Sequence, residues 1–465
     1  MRFRGLGNWW IWVAVVVAVT VSMSSTAWAQ SSSSTTTVQT AGGVAVDADG
    51  VLRTKVFTDP TGQLMKERIV AARASLDPKV TAFSKLRKVS LNRLEQAILD
   101  RGNTMTDEMR YLAGLLRVHY VFYYPESRDI VIAGPAEGWV PDPAGRIVGI
   151  GSGRPVVQLQ DLVVALRAFP PGGSSTPQIG CSIDSTQEGR VALQQYSRTI
   201  HLNGPPNEAE MRMIADGMRT SLGLQTVTIN GVSPKTRFAQ VMVEADYRMK
   251  LIGIGLETPP VKLISYVDRA MQSGISPSAM QRWFFVPDYQ CVRVSEDKLA
   301  MELVGDGVKL VGEDEVVMHN GERKTAAGHG NKASQAFVTG FTKKYPELAE
   351  RSPVYAELRN LVDLAIVAAY IQAEGYIAKA GWKMEFLGSE EQFPVEIYSI
   401  PKTVESAANA IWTGRTLGTP VGGGVVIQAT QALKSDNVLP DEKGKVGKVR
   451  EAINPNLAKG QWWWD

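Results

Sequence analysis

Residues 282–311, RWFFVPDYQCVRVSEDKLAMELVGDGVKLV, limit the fold more than any other stretch. Four runs of β-branched and aromatic residues are parted by Pro-Asp, Glu-Asp and Gly-Asp-Gly, which are turn-forming sequences. Connections this short join antiparallel neighbours, because a parallel pair needs a crossover of a dozen residues or more. A second hairpin is written into 118–133, where Pro125 to Arg128 separate two strand-like runs. A further strand is expected from about Phe238 to Glu244.

Helical spacing dominates elsewhere. Leu91, Leu94, Ile98 and Leu99 share one face, as do Met109, Leu112, Ala113 and Leu116 behind a Thr106 N-cap. Ser185-Thr186-Gln187-Glu188 has capping-box spacing, and Ser352-Pro353 opens a helix with Leu358, Leu361, Val362, Ala365 and Ala368 in one stripe. VESAANAIW (404–412) also reads as helical. The expected fold class is α+β: an antiparallel sheet from 118–133, 226–244 and 283–311, with helices in the N- and C-terminal thirds.

The 465 residues divide into five parts. Residues 1–29 have the basic n-region, apolar h-region and Ala-Trp-Ala site of a cleaved signal peptide, so a periplasmic, secreted or cell-surface location is expected. Residues 30–59 form a polar spacer and a short hairpin at Asp49-Gly50; 60–170, a helical segment plus a β-hairpin; 178–430, the main α+β domain; 434–465, a polar tail with Trp462, Trp463 and Trp464. No transmembrane span is expected after signal cleavage, since the longest later apolar run has eight residues. With 50 basic and 47 acidic residues there is no concentrated basic face, which argues against nucleic acid as partner.

No cofactor or metal is expected. Gly149, Gly151 and Gly153 invite a phosphate-cradle reading, but Arg154 stands where a dinucleotide fingerprint needs its third glycine, and a turn requiring positive φ explains them better. Asp47 and Asp49 lack a calcium loop's twelfth-position Glu, which is Thr58 here. The four histidines (119, 201, 319 and 329) are scattered without ligand spacing. Cys181 and Cys291 either pair as a disulfide, as an exported chain permits, or stay separate buried thiols. As a nucleophile Cys181 would need a base, and His201 is the nearest histidine in sequence.

VMVEADYRMKLIGIGLE (241–257) gathers the remaining chemistry. Two-residue alternation before residue 246 and helical spacing after it place Asp246 as a helix N-cap, held ionised by backbone amides and the helix dipole. Glu244, at the end of the expected strand, is then the one weak catalytic candidate, with a structural role paired to Arg248 or Arg237 as the alternative.

GCSIDSTQEG (180–189), TRFAQVMVEADYRMKLIGIGLE (236–257), RWFFVPDY (282–289) and FTKKYPELAERSPVYAELRNLVDLAIVAAY (341–370) resemble a family of secreted proteins of unknown function known mainly from planctomycete bacteria. EADYRMK is the most specific piece, and the resemblance spans most of 110–430. It implies an exported envelope or extracellular protein and carries no activity or catalytic residues. Two functions are expected to compete: a non-enzymatic binding or structural protein with an envelope or extracellular component as partner, and a hydrolase of an extracellular or wall polymer using Glu244 as acid or base.

Overall fold

The computed structural model describes residues 43–465 apart from 48, 56–58, 60, 274–278, 318–322, 326–330, 399–400 and 411–418. The leader, the Ser31–Thr37 tract, Thr58, His319 and His329 lie outside the described residues. Everything below belongs to the unit Thr37–Asp465.

The fold is α+β, built on two large sheets. The first contains β1 (Val44–Val46), β2 (Val51–Thr54), β8 (Ile179–Ser185), β9 (Leu224–Asn230), β10 (Ala279–Pro287), β13 (Val308–Val317), β14 (Arg323–Thr325), β15 (Thr403–Glu405), β16 (Ala408–Asn409) and β17 (Thr419–Ile427). Its order is β1-β2-β15-β9-β8-β17-β10-β13-β14, with β16 beside β17. Most pairs are antiparallel; β10–β17 and β2–β15 are parallel. The second sheet runs β11 (Val292–Val294), β12 (Ala300–Leu303), β4 (Tyr120–Tyr124), β5 (Asp129–Ala136), β3 (Ser84–Ser90) and β18 (Trp463–Trp464). A small hairpin, β6 (Trp139–Pro141) with β7 (Ile147–Gly149), stands apart.

The 282–311 block does form four strands, but not one meander. β10 and β13 pair in the first sheet, whereas β11 and β12 leave it to form a hairpin on the edge of the second. A single continuous run of chain thus stitches the two sheets together. The Tyr120–Ala136 hairpin folds as its turn predicts.

Among the described residues ten longer helices accompany these sheets: α1 (Gln63–Ser75), α2 (Leu91–Leu99), α3 (Leu159–Ala168), α4 (Gln187–Thr199), α5 (Glu208–Leu222), α6 (Arg237–Gly253), α7 (Tyr266–Ser273), α8 (Lys332–Arg351), α9 (Pro353–Ala373) and α10 (Lys445–Glu451). Two carry the core. In α9 every residue from Val354 to Ile371 is buried, and in α6 all but Arg248 and Leu251 are. A helix covered on all sides shows no polar face. None of the described helices is long and apolar enough to cross a membrane.

Four local expectations are corrected. Phe238–Glu244 is helix, not strand: α6 begins directly after its N-cap Thr236, whose hydroxyl accepts from Ala239 N–H. The 226–244 strand accordingly stops at Asn230. The helix behind Thr106 lasts only from Asp107 to Arg110, because Leu112 and Ala113 both adopt positive φ. At 404–412 the described residues form short strands (β15 and β16) rather than helix. The 434–465 segment is tied down. Trp462 is buried, β18 extends the second sheet beside β3, and Arg87, fully buried, donates to both Asp465 carboxylate oxygens at 2.9 Å.

Candidate functional site

Asp246 cannot cap a helix, because it sits mid-way along α6, where the backbone amides are already bonded within the helix. It is fully buried and accepts from Lys250 Nζ at 2.7 Å, one turn on. Lys250 also donates to the Ile183 and Gly423 carbonyls, at 3.1 and 3.2 Å, so it ties α6 to β8 and β17. Burial pushes Asp246 up to about 6, against the pull of Lys250.

Glu244 lies between Arg146, at 2.5 Å, and Arg248, at 3.6 Å, with 1 % of its side chain exposed. Its Oε1 also accepts the Gly43 amide at 3.2 Å. A side chain at residue 43 would push into this contact, since a Cβ there would stand 3.0 Å from Glu244 Oε1. The carboxylate is therefore enclosed and paired, with Arg146 rather than Arg237 as its main partner.

Following Arg146 reveals a longer row. Its other nitrogen reaches Glu357, Glu357 also holds Arg237, and Arg237 holds Asp161. Four parts of the chain supply these groups: the β6–β7 turn (Arg146), α3 (Asp161), α6 (Arg237 and Glu244) and α9 (Glu357). All five side chains are 7 % exposed or less. Each buried ion costs several kcal/mol of solvation, offset by alternating signs at hydrogen-bond distance. Asp161 is the least satisfied: its Oδ1 has no hydrogen-bond partner, and burial raises its pKa despite Arg237.

The middle of this row lines a cavity of about 200 Å³, with Asp161 and Glu244, at its two ends, outside the lining. Arg146, Arg237 and Glu357 face it from one side. Gln158 and Gln160 come from the start of α3, while Tyr111, Phe393, Glu396 and Tyr398 come from loops. Tyr398 donates to Glu396 at 2.9 Å, and Gln160 reaches Gln158 at 2.7 Å. A second cavity, of about 450 Å³, is lined by Gly43, Arg248, Glu257 and again Arg146. One guanidinium thus borders both.

The remaining sequence candidates are dispersed. Cys181 and Cys291 are free, buried thiols, the first on β8 and the second just before β11 in the other sheet, so the disulfide expectation does not hold here. Burial pushes Cys181 far up and Cys291 to about 12, leaving neither a ready thiolate. His201 is exposed and contacts the Thr199 carbonyl at 2.9 Å. Among the described residues no group of three or more His, Cys, Asp or Glu is placed to hold a metal ion. The Gly149–Gly153 loop does bind an anion, but it is the chain's own Glu137. That carboxylate accepts Gly151 and Ser152 N–H at 3.2 and 2.9 Å and the Ser152 hydroxyl at 2.5 Å.

Residues 181–266 match a family described as "Protein of unknown function (DUF1598)". The matched segment runs from β8 through α6 into α7, and so includes Arg237, Glu244, Asp246 and Lys250. No curated protein and no solved structure matches the chain. Arg146, Asp161 and Glu357 lie outside the matched segment, and sequence reasoning had not singled them out. Their signal was a charge set inside an apolar run, as in LQDLVVALRA and PVYAELRNLV. Such a charge is seldom buried unless it is paired.

Proposed function

We propose that the protein is exported and works at the cell envelope or outside the cell, as a binding protein that holds a small ligand in the cavity walled by the middle of the paired row. The observation that carries this reading is the row itself. Five buried charged groups are fixed on one another, and the central three, Arg146, Glu357 and Arg237, give the cavity a rigid polar wall, which is what preorganised recognition requires. A basic, apolar, Ala-Trp-Ala leader supports export.

Binding is favoured over hydrolysis by the state of Glu244. An acid–base carboxylate must exchange a proton with substrate within hydrogen-bond reach. Glu244 instead has Arg146 and the Gly43 amide against it, at 2.5 and 3.2 Å, and Glu357 across the same guanidinium is shared between two arginines. Both carboxylates are anchors for arginines.

The test is to incubate the purified protein with the low-molecular-mass fraction of an envelope extract, wash it, and look for a retained compound by native mass spectrometry. Retention by the wild type and its loss in Tyr398→Ala are expected. Release of fragments from wall polymer, abolished in Glu244→Gln, would instead establish the hydrolase.

A further inference from the structure

The cavity's hydrogen-bonding character narrows the ligand, granted the reading of that cavity as the binding site. The charges that line it and those paired to them cancel within the protein: Asp161, Glu244, Glu357 and Glu396 are set against Arg110, Arg146, Arg237 and Arg248. What remains unmet is of both kinds. Gln160 lines the cavity, and its Oε1 is a buried acceptor without a partner. The Gln160 amide nitrogen is engaged by Gln158 Oε1, which fixes that acceptor's orientation. On the donor side, α3 starts at the cavity without a side-chain cap, leaving its first backbone amides without a side-chain acceptor. Arg110 is a second loose donor, its nearest carboxylate oxygens standing 3.6 and 3.9 Å away.

We infer that the ligand is an uncharged, hydroxyl-bearing ring, a single sugar unit, bound with its hydroxyls between Gln160 and Arg110 and a face against the aromatic side chains. A hydroxyl donates once and accepts twice, so it answers unmet donors and acceptors together. An ammonium or carboxylate would answer only one kind, and would bring an unbalanced charge into a set already matched. Tyr111, Phe393 and Tyr398 supply apolar surface, and Tyr111 is held edge-on against Trp139 with ring centroids 5.5 Å apart. The volume, about 200 Å³, falls below the roughly 300–1,000 Å³ of sites for drug-sized molecules, which fits one ring rather than a chain.

The experiment uses matched rings that differ in charge: glucose, galactose and N-acetylglucosamine as neutral probes, glucosamine as the cation and glucuronate as the anion. Each is titrated into the purified protein and followed by saturation-transfer NMR. At least one neutral probe is expected to bind with a Kd near 1 mM, an ordinary value for a single small ligand. It should bind more tightly than either charged ring and weaken about fivefold in Gln160→Leu, the loss of one hydrogen bond. Tighter binding of glucosamine or glucuronate overturns the ligand class and leaves the cavity as a site. Binding unchanged in Gln160→Leu overturns the placement. No binding by any probe while the extract compound is still retained also overturns the class alone; loss of both overturns the binding reading too.

Discussion

At the scale of the residue, the four charges of EADYRMK do four different things because each meets a different neighbour. Asp246 and Lys250 neutralise each other beneath the first sheet, Glu244 is enclosed against Arg146, and Arg248 lines the second cavity. The pH response of Asp246 follows from its burial. With its folded pKa raised to about 6, the folded state holds this proton over a range where the unfolded chain has released it. Stability contributed by this group is therefore present at low pH and falls as pH rises from about 4 to about 6. The urea stability of wild type minus that of Asp246→Asn should decline across that window and level off above it; a difference that rises would contradict the assignment. Glu244→Gln removes a charge from a buried pair and leaves Arg146 under-compensated. It should cost about 3–5 kcal/mol by urea unfolding, and a cost below about 1 kcal/mol would mean that the row is not held as described.

At the scale of the element, one of the tightest points is the glycine run of β17, between β8 and β10. A Cβ on Gly424 would stand 1.9 Å from the Cys181 carbonyl oxygen, and one on Gly423 would meet the Trp283 carbonyl equally closely. Gly424→Ala should destabilise by at least about 3 kcal/mol, against about 0.5 kcal/mol or less for Gly204→Ala, where nothing lies within 4 Å. Which elements were legible follows from burial. The β4–β5 hairpin could be read because Pro125 to Arg128 mark its turn in an otherwise aromatic and β-branched stretch. The start of α6 could not. Nearly all its residues are buried, so polar and apolar positions carry no face, and the alternation of Val241, Val243 and Ala245 is incidental. Glu244 was found as a local oddity, but its partner Arg146 lies 98 residues away, beyond any spacing rule. Sequence shows which charges sit among apolar neighbours; pairing them takes the fold.

At the scale of the molecule, both sheets depend on distant segments. The 462–465 stretch closes the β3 edge: Trp462 is buried, Trp463 lies 4.8 Å from the Arg87 guanidinium, and Asp465 pairs with that same arginine. Removing Gln461–Asp465 should lower stability by about 3 kcal/mol, from one buried aromatic and from Arg87, which would lose its carboxylate and keep only carbonyl acceptors. Unchanged stability with lost envelope association would make the segment a docking element instead. The α+β class was readable from the mixture of periods; the division into two sheets was not, because the chain changes sheet within turns as short as those of a simple meander.

The loop from Gly149 to Gly153 has its anion supplied by Glu137, which is covalently attached and 5 % exposed. Any free phosphate or carboxylate must compete with this tethered carboxylate, whose effective concentration, by analogy with short linkers, is in the millimolar range or above. Titrating the wild type with anions would thus report on the strength of an intramolecular competitor rather than on the loop. The loop's own affinity becomes measurable in Glu137→Ala, where added acetate can restore what the substitution removed.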